Sequence, residues 1–337
     1  MARLATTAIL LALTLAGCGP RHTRADGPLR FQDFPYTAVG GDAWPVKRVT
    51  LSALNDAYGL PADTAVAYVE LNPEGKRTLV FIHGLGSYLK FWRYQLDTFA
   101  RQGYRVIAVD LPGYGKSSKP ATFPYTMVAQ ADAVRALVQH LGLEKPTLVG
   151  HSMGGQIALT YAIRWPTEPG ALVLTAPAGF EQFSAREKAW FKSVVTTAGI
   201  RAADEHAIWG SVRRANFSRW QPDYAWLIEE RARVALTDEF PAYAYANVKS
   251  IHGLLDTDFT RASLFRVQVP TLIVHGDQDR LIPNPFMHGG ESREIMEFGR
   301  RGIKDAKLVT LRGCGHTVQM DCSPDYNEAV ANFLKGT

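Results

Sequence analysis

Short apolar runs alternate with amphipathic stretches along most of the chain. Residues 78–82 (TLVFI) and 271–274 (TLIV) have the composition of strands that are covered on both faces. Residues 126–141 instead repeat apolar side chains at helical spacing along one face. Strands that alternate with helices in this way predict an α/β fold built on a doubly wound, mostly parallel sheet.

The alternation is interrupted between residues 178 and 266. Helical stretches with many aromatic side chains replace the strand pattern there. The strand pattern resumes at residues 271–274 and 307–311. We therefore expect a helical cap over 178–266, inserted into a core that comprises residues 46–177 and 267–337.

The first residues have the pattern of a secretion signal. A short basic start precedes an uncharged run rich in Leu and Ala over residues 4–16, which is too short to span a bilayer comfortably. The run ends in Leu-Ala-Gly-Cys at residues 15–18, and this resembles the bacterial lipobox. We expect a lipoprotein signal peptide over residues 1–17 and lipidation of Cys18. The alternatives are an ordinary secretion signal that ends near a cysteine and an uncleaved anchor.

Lipidation of Cys18 would hold the mature protein at a membrane surface without a spanning helix. The Pro- and Gly-containing residues that follow predict a tether, which we place over residues 18–45. Gly19 follows the cysteine. By resemblance to Gram-negative lipoproteins, this implies the bacterial outer membrane, with the protein facing the periplasm. The alternative is another extracytoplasmic membrane surface of the bacterial envelope.

Composition argues against several classes of protein. The chain has 337 residues, of which 46% are hydrophobic and 20% charged, as in ordinary globular proteins. The net charge is only +5 and the basic residues are scattered, so we expect no nucleic-acid partner. The sequence shows no Cys and His cluster with ligand spacing, so neither a metal nor a cofactor is expected.

The candidate chemistry centres on a Gly-x-Ser-x-Gly motif. Gly150, Ser152 and Gly154 stand between an apolar run at residues 146–149 and a helical stretch at 156–165. This context is that of a nucleophile elbow, in which a sharp turn projects the serine hydroxyl above the sheet. The helix that follows would place backbone N–H groups where an oxyanion develops.

Four motifs together resemble the α/β-hydrolase fold family, over about residues 46–334. Each motif follows a predicted strand, in the order that the family shows. They are HGLG at residues 83–86, GHSMG at 150–154, GDQD at 276–279 and GH at 315–316. The resemblance implies an α/β-hydrolase sheet with a cap, and a catalytic triad in the order Ser, Asp, His.

The resemblance assigns Ser152 as the nucleophile, His316 as its base and Asp279 as the acid that orients the imidazole. A serine hydroxyl is barely acidic, so it needs such a base within hydrogen-bond reach. Asp277 is the alternative acid. The family pattern of Gly-x-x-Asp followed by an apolar residue and Pro matches Asp279, and Asp277 is expected to cap the turn.

The oxyanion hole is expected to use two backbone N–H groups. One belongs to Met153, the residue after the nucleophile, and the resemblance implies Leu85 as the other. Such donors face the charge that develops in the transition state.

Cys314 and Cys322 flank His316 and are the remaining cysteines if Cys18 is lipidated. In an oxidising compartment they could form a disulfide that pins the histidine loop. The alternative is two separate buried side chains.

These assignments predict a serine hydrolase that cleaves an ester-type small molecule through an acyl-enzyme, without a cofactor. The aromatic cap suggests a small apolar or aromatic substrate. A carbon–carbon bond hydrolase, a lactonase, an aminopeptidase or a cofactor-free haloperoxidase-like member of the same fold would keep the same serine. A non-catalytic binding module is a further alternative.

Overall fold

An eight-stranded β-sheet forms the centre of the molecule in a computed structural model that describes residues 27–337. The strands follow the predicted runs to within one or two residues. They are β1 (Val46–Thr50), β2 (Ala65–Leu71), β3 (Thr78–Ile82), β4 (Arg105–Asp110), β5 (Thr147–His151), β6 (Ala171–Thr175), β7 (Thr271–Gly276) and β8 (Ala306–Leu311).

The strand order is β1-β2-β4-β3-β5-β6-β7-β8. β1 and β2 pair antiparallel, as do β2 and β4, whereas the remaining pairs are parallel. The predicted α/β, doubly wound, mostly parallel sheet is therefore confirmed. Because β3, β5, β7 and β8 are parallel, the loops at their carboxyl ends meet at one edge, where ligands bind in such sheets.

Helices of the core cover both faces of this sheet. The core helices are α1 (Ser52–Tyr58), α2 (Leu96–Arg101), α3 (Met127–His140), α4 (Met153–Arg164), α11 (Ser292–Gly302), α12 (Val318–Asp321) and α13 (Ser323–Leu334). Thr126 caps α3 by accepting a hydrogen bond from the N–H of Ala129 at 3.1 Å. Helix α4 is buried along almost its whole length, which fixes the elbow at its start.

The chain between β6 and β7 is helical and supplies the cap. Its α-helices are α5 (Ala185–Val194), α6 (Thr197–Ala202), α7 (Glu205–Trp209), α8 (Trp226–Val234), α9 (Phe240–Asp256) and α10 (Phe259–Ala262). Ser184 and Glu187 form a capping box at the start of α5, and Thr196 and Asp204 cap α6 and α7. These local signals explain why residues 185–209 form three separate short helices.

A buried ion pair fastens the cap to the core. Lys90, in the segment after β3, lies 2.6 Å from Glu230 of α8, and both side chains are 4% exposed. The hydroxyl of Tyr88 also donates to Glu230, and the Lys90 ammonium lies 4.3 Å from the ring centre of Trp226. Such a pair needs both partners, because either charge alone would be buried without compensation.

The predicted tether over residues 18–45 is wrong for residues 27–45, whereas residues 18–26 lie outside the described part of the chain. Residues 27–45, which we name the strap, pack on the folded domain. Phe31, Phe34, Tyr36 and Trp44 of the strap are buried. The hydroxyl of Tyr36 donates to the buried Asp110 at 2.6 Å, so the strap is anchored by polar contacts as well. Four large aromatic rings within 14 residues bury too much apolar surface to stay in solvent.

The predicted signal peptide and Cys18 lie outside the described residues. Within residues 27–337, no helix combines the length and the apolar character needed to cross a membrane.

Candidate active site

Ser152 lies at the turn between β5 and α4 with a strained backbone. Its φ of 53° and ψ of −115° are unusual for a residue with a Cβ. Gly150 and Gly154 permit this turn. A Cβ on Gly154 would overlap the carbonyl of Ile82, and one on Gly150 would overlap the carbonyl of Gly154. The close approach of β3, β5 and α4 thus explains both glycines of the motif.

The loop after β3 packs directly against this elbow. A Cβ on Gly84 would lie 3.2 Å from the Cβ of Ser152. His83 holds the loop, since its Nδ1 donates to the carbonyl of Gly84 at 2.8 Å and its Nε2 accepts from the N–H of Leu111 at 3.1 Å. Burial lowers the pKa of His83 to about 4, so the ring stays neutral at neutral pH. Leu85, in this loop, lines the same cavity as Ser152.

His316 and Asp279 are in direct contact. Nδ1 of His316 lies 2.9 Å from Oδ2 of Asp279, and the two side chains are 4% and 0% exposed. The other carboxylate oxygen accepts from the N–H groups of Leu281 and Ile282 at 2.8 and 3.1 Å. A carboxylate fixed in this way accepts the proton on Nδ1 and leaves Nε2 as the acceptor.

Asp277 connects two loops and does not contact the imidazole. Its carboxylate accepts from the N–H of Gly313 at 2.7 Å and joins the loops after β7 and β8. Of the two candidate acids, only Asp279 reaches the imidazole of His316.

Ser152 and His316 line one cavity. In the described chain no hydrogen bond joins the serine hydroxyl to the imidazole, whose hydrogen bond runs to Asp279. Such nucleophile–base bonds are often long without substrate and tighten when it binds. The three predicted side chains are therefore brought to the same edge of the sheet.

The loop that carries His316 is held from several sides. Cys314 and Cys322 form a disulfide with Cα atoms 6.1 Å apart. The buried carboxylate of Asp321 accepts from the N–H of Gly315 at 2.6 Å. It also accepts from the backbone N–H groups of Ser218 and Arg219 of the cap at 2.7 and 2.8 Å. Asp321 thus ties the histidine loop to the cap, a contact that the sequence patterns did not indicate.

His151, the residue before Ser152, supports the same loop. Its Nε2 lies 3.1 Å from the carbonyl of His316, and the two ring centres are 5.0 Å apart. Burial, and next the nearby His316, hold the pKa of His151 well below its usual range. A neutral His151 therefore donates one hydrogen bond and places no second charge beside His316.

The cavity above Ser152 has a volume of about 750 Å³ and mainly apolar walls, within the usual range for small-molecule sites. Most of its lining comes from the cap. Phe31 and Phe34 of the strap also line it, and sequence analysis missed them. Their spacing in Phe-x-x-Phe is a weak signal of one buried face.

One cation in this lining has no carboxylate partner. Arg231 of α8 forms no hydrogen bond or ion pair within the described residues. Its guanidinium instead lies 4.4 Å from the ring centre of Phe240 and 4.8 Å from that of Tyr243. Within residues 27–337, no group of three or more His, Cys, Asp or Glu side chains is arranged to hold a metal ion.

Comparisons with known proteins agree with this architecture. The chain is 31% identical over 264 residues to the AB hydrolase superfamily protein YisY of Bacillus subtilis, covering 76% of this chain and 91% of that one. It is 28% identical to a 2-hydroxy-6-oxononadienedioate/2-hydroxy-6-oxononatrienedioate hydrolase of Klebsiella pneumoniae, covering 77% and 88% of the two chains.

Two solved structures show the same fold. A "probable hydrolytic enzyme" from Pseudomonas aeruginosa superimposes with a TM-score of 0.78 at 23% identity, covering 91% of this chain and 98% of that one. A membrane phospholipase A superimposes with a TM-score of 0.68 at 26% identity, covering 87% and 86%.

The sequence profile of the family described as alpha/beta hydrolase fold matches residues 77–322. This interval contains the elbow, the cap and the loops that carry Asp279 and His316. The chain therefore belongs to the α/β hydrolase fold family and is a hydrolase.

Proposed function

We propose that this protein is a serine hydrolase that cleaves ester bonds of apolar small molecules by a Ser-His-Asp mechanism. The observation that carries the proposal is the 2.9 Å contact between His316 and Asp279 at the cavity that Ser152 lines. A buried carboxylate in this position fixes the imidazole in the tautomer whose Nε2 can accept a proton.

In the proposed reaction, the hydroxyl oxygen of Ser152 attacks the ester carbonyl carbon while Nε2 of His316 takes its proton. The N–H groups of Met153 and Leu85 stabilise the oxyanion of the tetrahedral intermediate. The intermediate collapses, the alcohol leaves with the proton from His316, and an acyl-enzyme remains. Water, deprotonated by the same imidazole, then releases the acid and restores Ser152.

The cavity favours an apolar ester over a peptide. Its walls are mainly apolar, and its volume of about 750 Å³ accommodates a ring or a medium-length chain. The likeness to a solved membrane phospholipase A supports an ester with an apolar chain as the substrate class.

A panel of p-nitrophenyl esters tests this proposal. We expect hydrolysis of medium-length acyl esters, with kcat/KM rising about threefold for each added methylene until the apolar cavity is filled. A fluorophosphonate probe should also label the protein covalently. Absence of both labelling and ester hydrolysis would refute the assignment.

A carbon–carbon bond hydrolase is the second candidate, and Arg231 favours it. An unpaired guanidinium in an apolar cavity suits a substrate that carries a carboxylate. The similar protein from Klebsiella pneumoniae is described as a hydrolase of such acids. Turnover of a 2-hydroxy-6-oxo-dienoate at a higher kcat/KM than the neutral esters would favour this second reaction.

We also propose that Cys18 carries a lipid that anchors the protein in the bacterial envelope, on the periplasmic side of the outer membrane. The lipobox-like residues 15–18 support this proposal. We expect the protein in the membrane fraction of a Gram-negative host, and Cys18→Ser in the soluble fraction. Equal partition of the two proteins would contradict lipidation, because the lipid supplies the membrane affinity.

A further inference from the structure

Helix α9 lies along the cavity and connects its two ends. Tyr243, Asn247, Ile251 and Leu254 recur at helical spacing and line the cavity. Eleven residues separate the first from the last, a span of about 16 Å along the axis. The lining therefore changes along the helix from an aromatic to an aliphatic character.

The amino end of α9 is fixed to the loop on one side of Ser152. The hydroxyl of Tyr243 donates to the carbonyl of Gly86 at 3.2 Å. Gly86 directly follows Leu85, whose N–H is the proposed oxyanion donor. This end of the cavity therefore adjoins the oxyanion loop.

The carboxyl end of α9 is fixed to the other side of Ser152. Gln156, one turn into α4, donates through Nε2 to the carbonyls of Leu254 and Thr257 at 3.3 and 2.7 Å. Ala178, at the start of the cap, donates its N–H to the carbonyl of Ser152 at 3.0 Å. The serine is thus flanked by two ends of the same cavity.

The end beside the oxyanion loop is aromatic. Ring centres lie 5.2 Å apart for Phe31 and Phe34, 5.1 Å for Phe34 and Tyr88, and 5.4 Å for Phe31 and Tyr243. All four side chains line the cavity. Distances and tilted geometry of this kind are those at which aromatic rings attract one another, so this wall of the cavity can attract the ring of a substrate.

The other end is mainly aliphatic. Its lining is mainly branched aliphatic, with one ring, that of Phe191 in α5. The aliphatic residues are Val194 of α5, Val195 directly after it, Ile200 of α6, and Leu254 and Leu255 of α9. Branched aliphatic walls suit a flexible saturated chain, which gains from burial without a requirement for ring geometry.

We propose that the cavity consists of two subsites on either side of Ser152, an aromatic subsite built partly by the strap and an aliphatic subsite beneath α5 and α6. The inference rests on the proposed function and deepens it. The substrate class is an ester that joins a group with a planar ring to a saturated chain. Phe31 and Phe34 are specificity-determining residues for the ring.

Matched esters test the aromatic subsite. Benzyl hexanoate is compared with cyclohexylmethyl hexanoate, and hexyl phenylacetate with hexyl cyclohexylacetate, so that each pair differs in ring planarity and little in leaving-group reactivity. We expect a preference of about fivefold in kcat/KM for the planar ring in one of the pairs. Phe34→Leu should reduce this preference to less than about twofold, mainly through KM.

Ile200→Ala is the matched control at the other end. It should weaken the dependence of kcat/KM on chain length and keep the ring preference. Retained ring preference in both Phe34→Leu and Phe31→Leu, with folding verified by thermal melting, would overturn the proposal. So would loss of the ring preference in Ile200→Ala.

Binding separates failure of the subsites from failure of the proposed function. Ser152→Ala protein is titrated calorimetrically with benzyl hexanoate and with cyclohexylmethyl hexanoate. Tighter binding of the benzyl ester that is lost in the Ser152→Ala, Phe34→Leu double variant supports the aromatic subsite even if no ester is hydrolysed. Equal binding of both esters by the Ser152→Ala protein would contradict the aromatic subsite. The proposed hydrolase activity is tested separately, by fluorophosphonate labelling of Ser152 in the unaltered protein.

Discussion

Replacing Ser152 by alanine is expected to lower kcat for ester hydrolysis about ten-thousand-fold or more and to abolish covalent labelling by a fluorophosphonate. The hydroxyl oxygen is the atom that bonds to the substrate, so no neighbouring group replaces it. KM should change little, because the alanine leaves the walls of the cavity in place. Steady-state kinetics and mass spectrometry of the labelled protein measure both effects.

Ser193→Ala provides the control for this experiment. The hydroxyl of Ser193 donates to the carbonyl of Trp190 at the exposed surface of α5. Its loss should leave labelling and kcat unchanged. Undiminished labelling of the Ser152→Ala protein would show that another nucleophile reacts, and the proposed mechanism would be wrong.

Asp279→Asn is expected to lower kcat about ten-thousand-fold, again with little change in KM. The carboxylate of Asp279 now accepts the proton on Nδ1 of His316. An asparagine amide can donate to Nδ1 instead, which moves the imidazole proton to Nε2. That nitrogen then cannot accept the proton of Ser152.

Asp277→Asn is the matched variant on the same loop. The amide oxygen can still accept from the N–H of Gly313, so kcat should fall by less than about threefold. Both substitutions remove one negative charge, at positions two residues apart, so a difference in kcat reports the contact with His316. Thermal melting checks that both proteins fold. Equal losses in the two variants would contradict the assignment of Asp279 as the orienting acid.

The cap is connected to the loop that carries His316 as well as to the substrate cavity. The carboxylate of Asp321 accepts hydrogen bonds from the backbone N–H of Gly315, beside His316, and from those of Ser218 and Arg219 in the cap. The cap therefore contacts the substrate cavity with one face and the loop of the proposed base with another. A shift of this part of the cap would move both together.

The strands and the elbow could be predicted from the sequence because their signals are local. A five-residue apolar run such as residues 78–82, bounded by turn residues and glycines, indicates a buried strand from local sequence alone. Gly150 and Gly154 specify a close approach because a Cβ would overlap backbone there. The resemblance to a known family then supplied the order of the motifs and the choice of Asp279 over Asp277.

Other features depended on distances that a sequence does not contain. The pattern predicted a tether there because the aromatic rings of the strap are covered by distant parts of the chain. Phe31 contacts Tyr243 of α9, Phe34 and Tyr36 contact Tyr88 after β3, and Trp44 donates to Asp97 of α2. The pairing of Cys314 with Cys322 depended on a Cα separation of 6.1 Å. Arg231 lies against the ring of Phe240, and no carboxylate of the described residues pairs with it. That arrangement follows from how the cap folds and cannot be read from the sequence.

The sequence by itself thus determined the strands, the fold class and the candidate site residues, whereas helices α1, α11 and α12 were not predicted. The tertiary structure alone decided which of these residues meet, namely His316 with Asp279 and the strap with the cavity. The physical reason is that hydrophobic periodicity reports which face of an element is buried. Hydrophobic periodicity does not show which distant element covers that face, because this depends on how the whole chain packs.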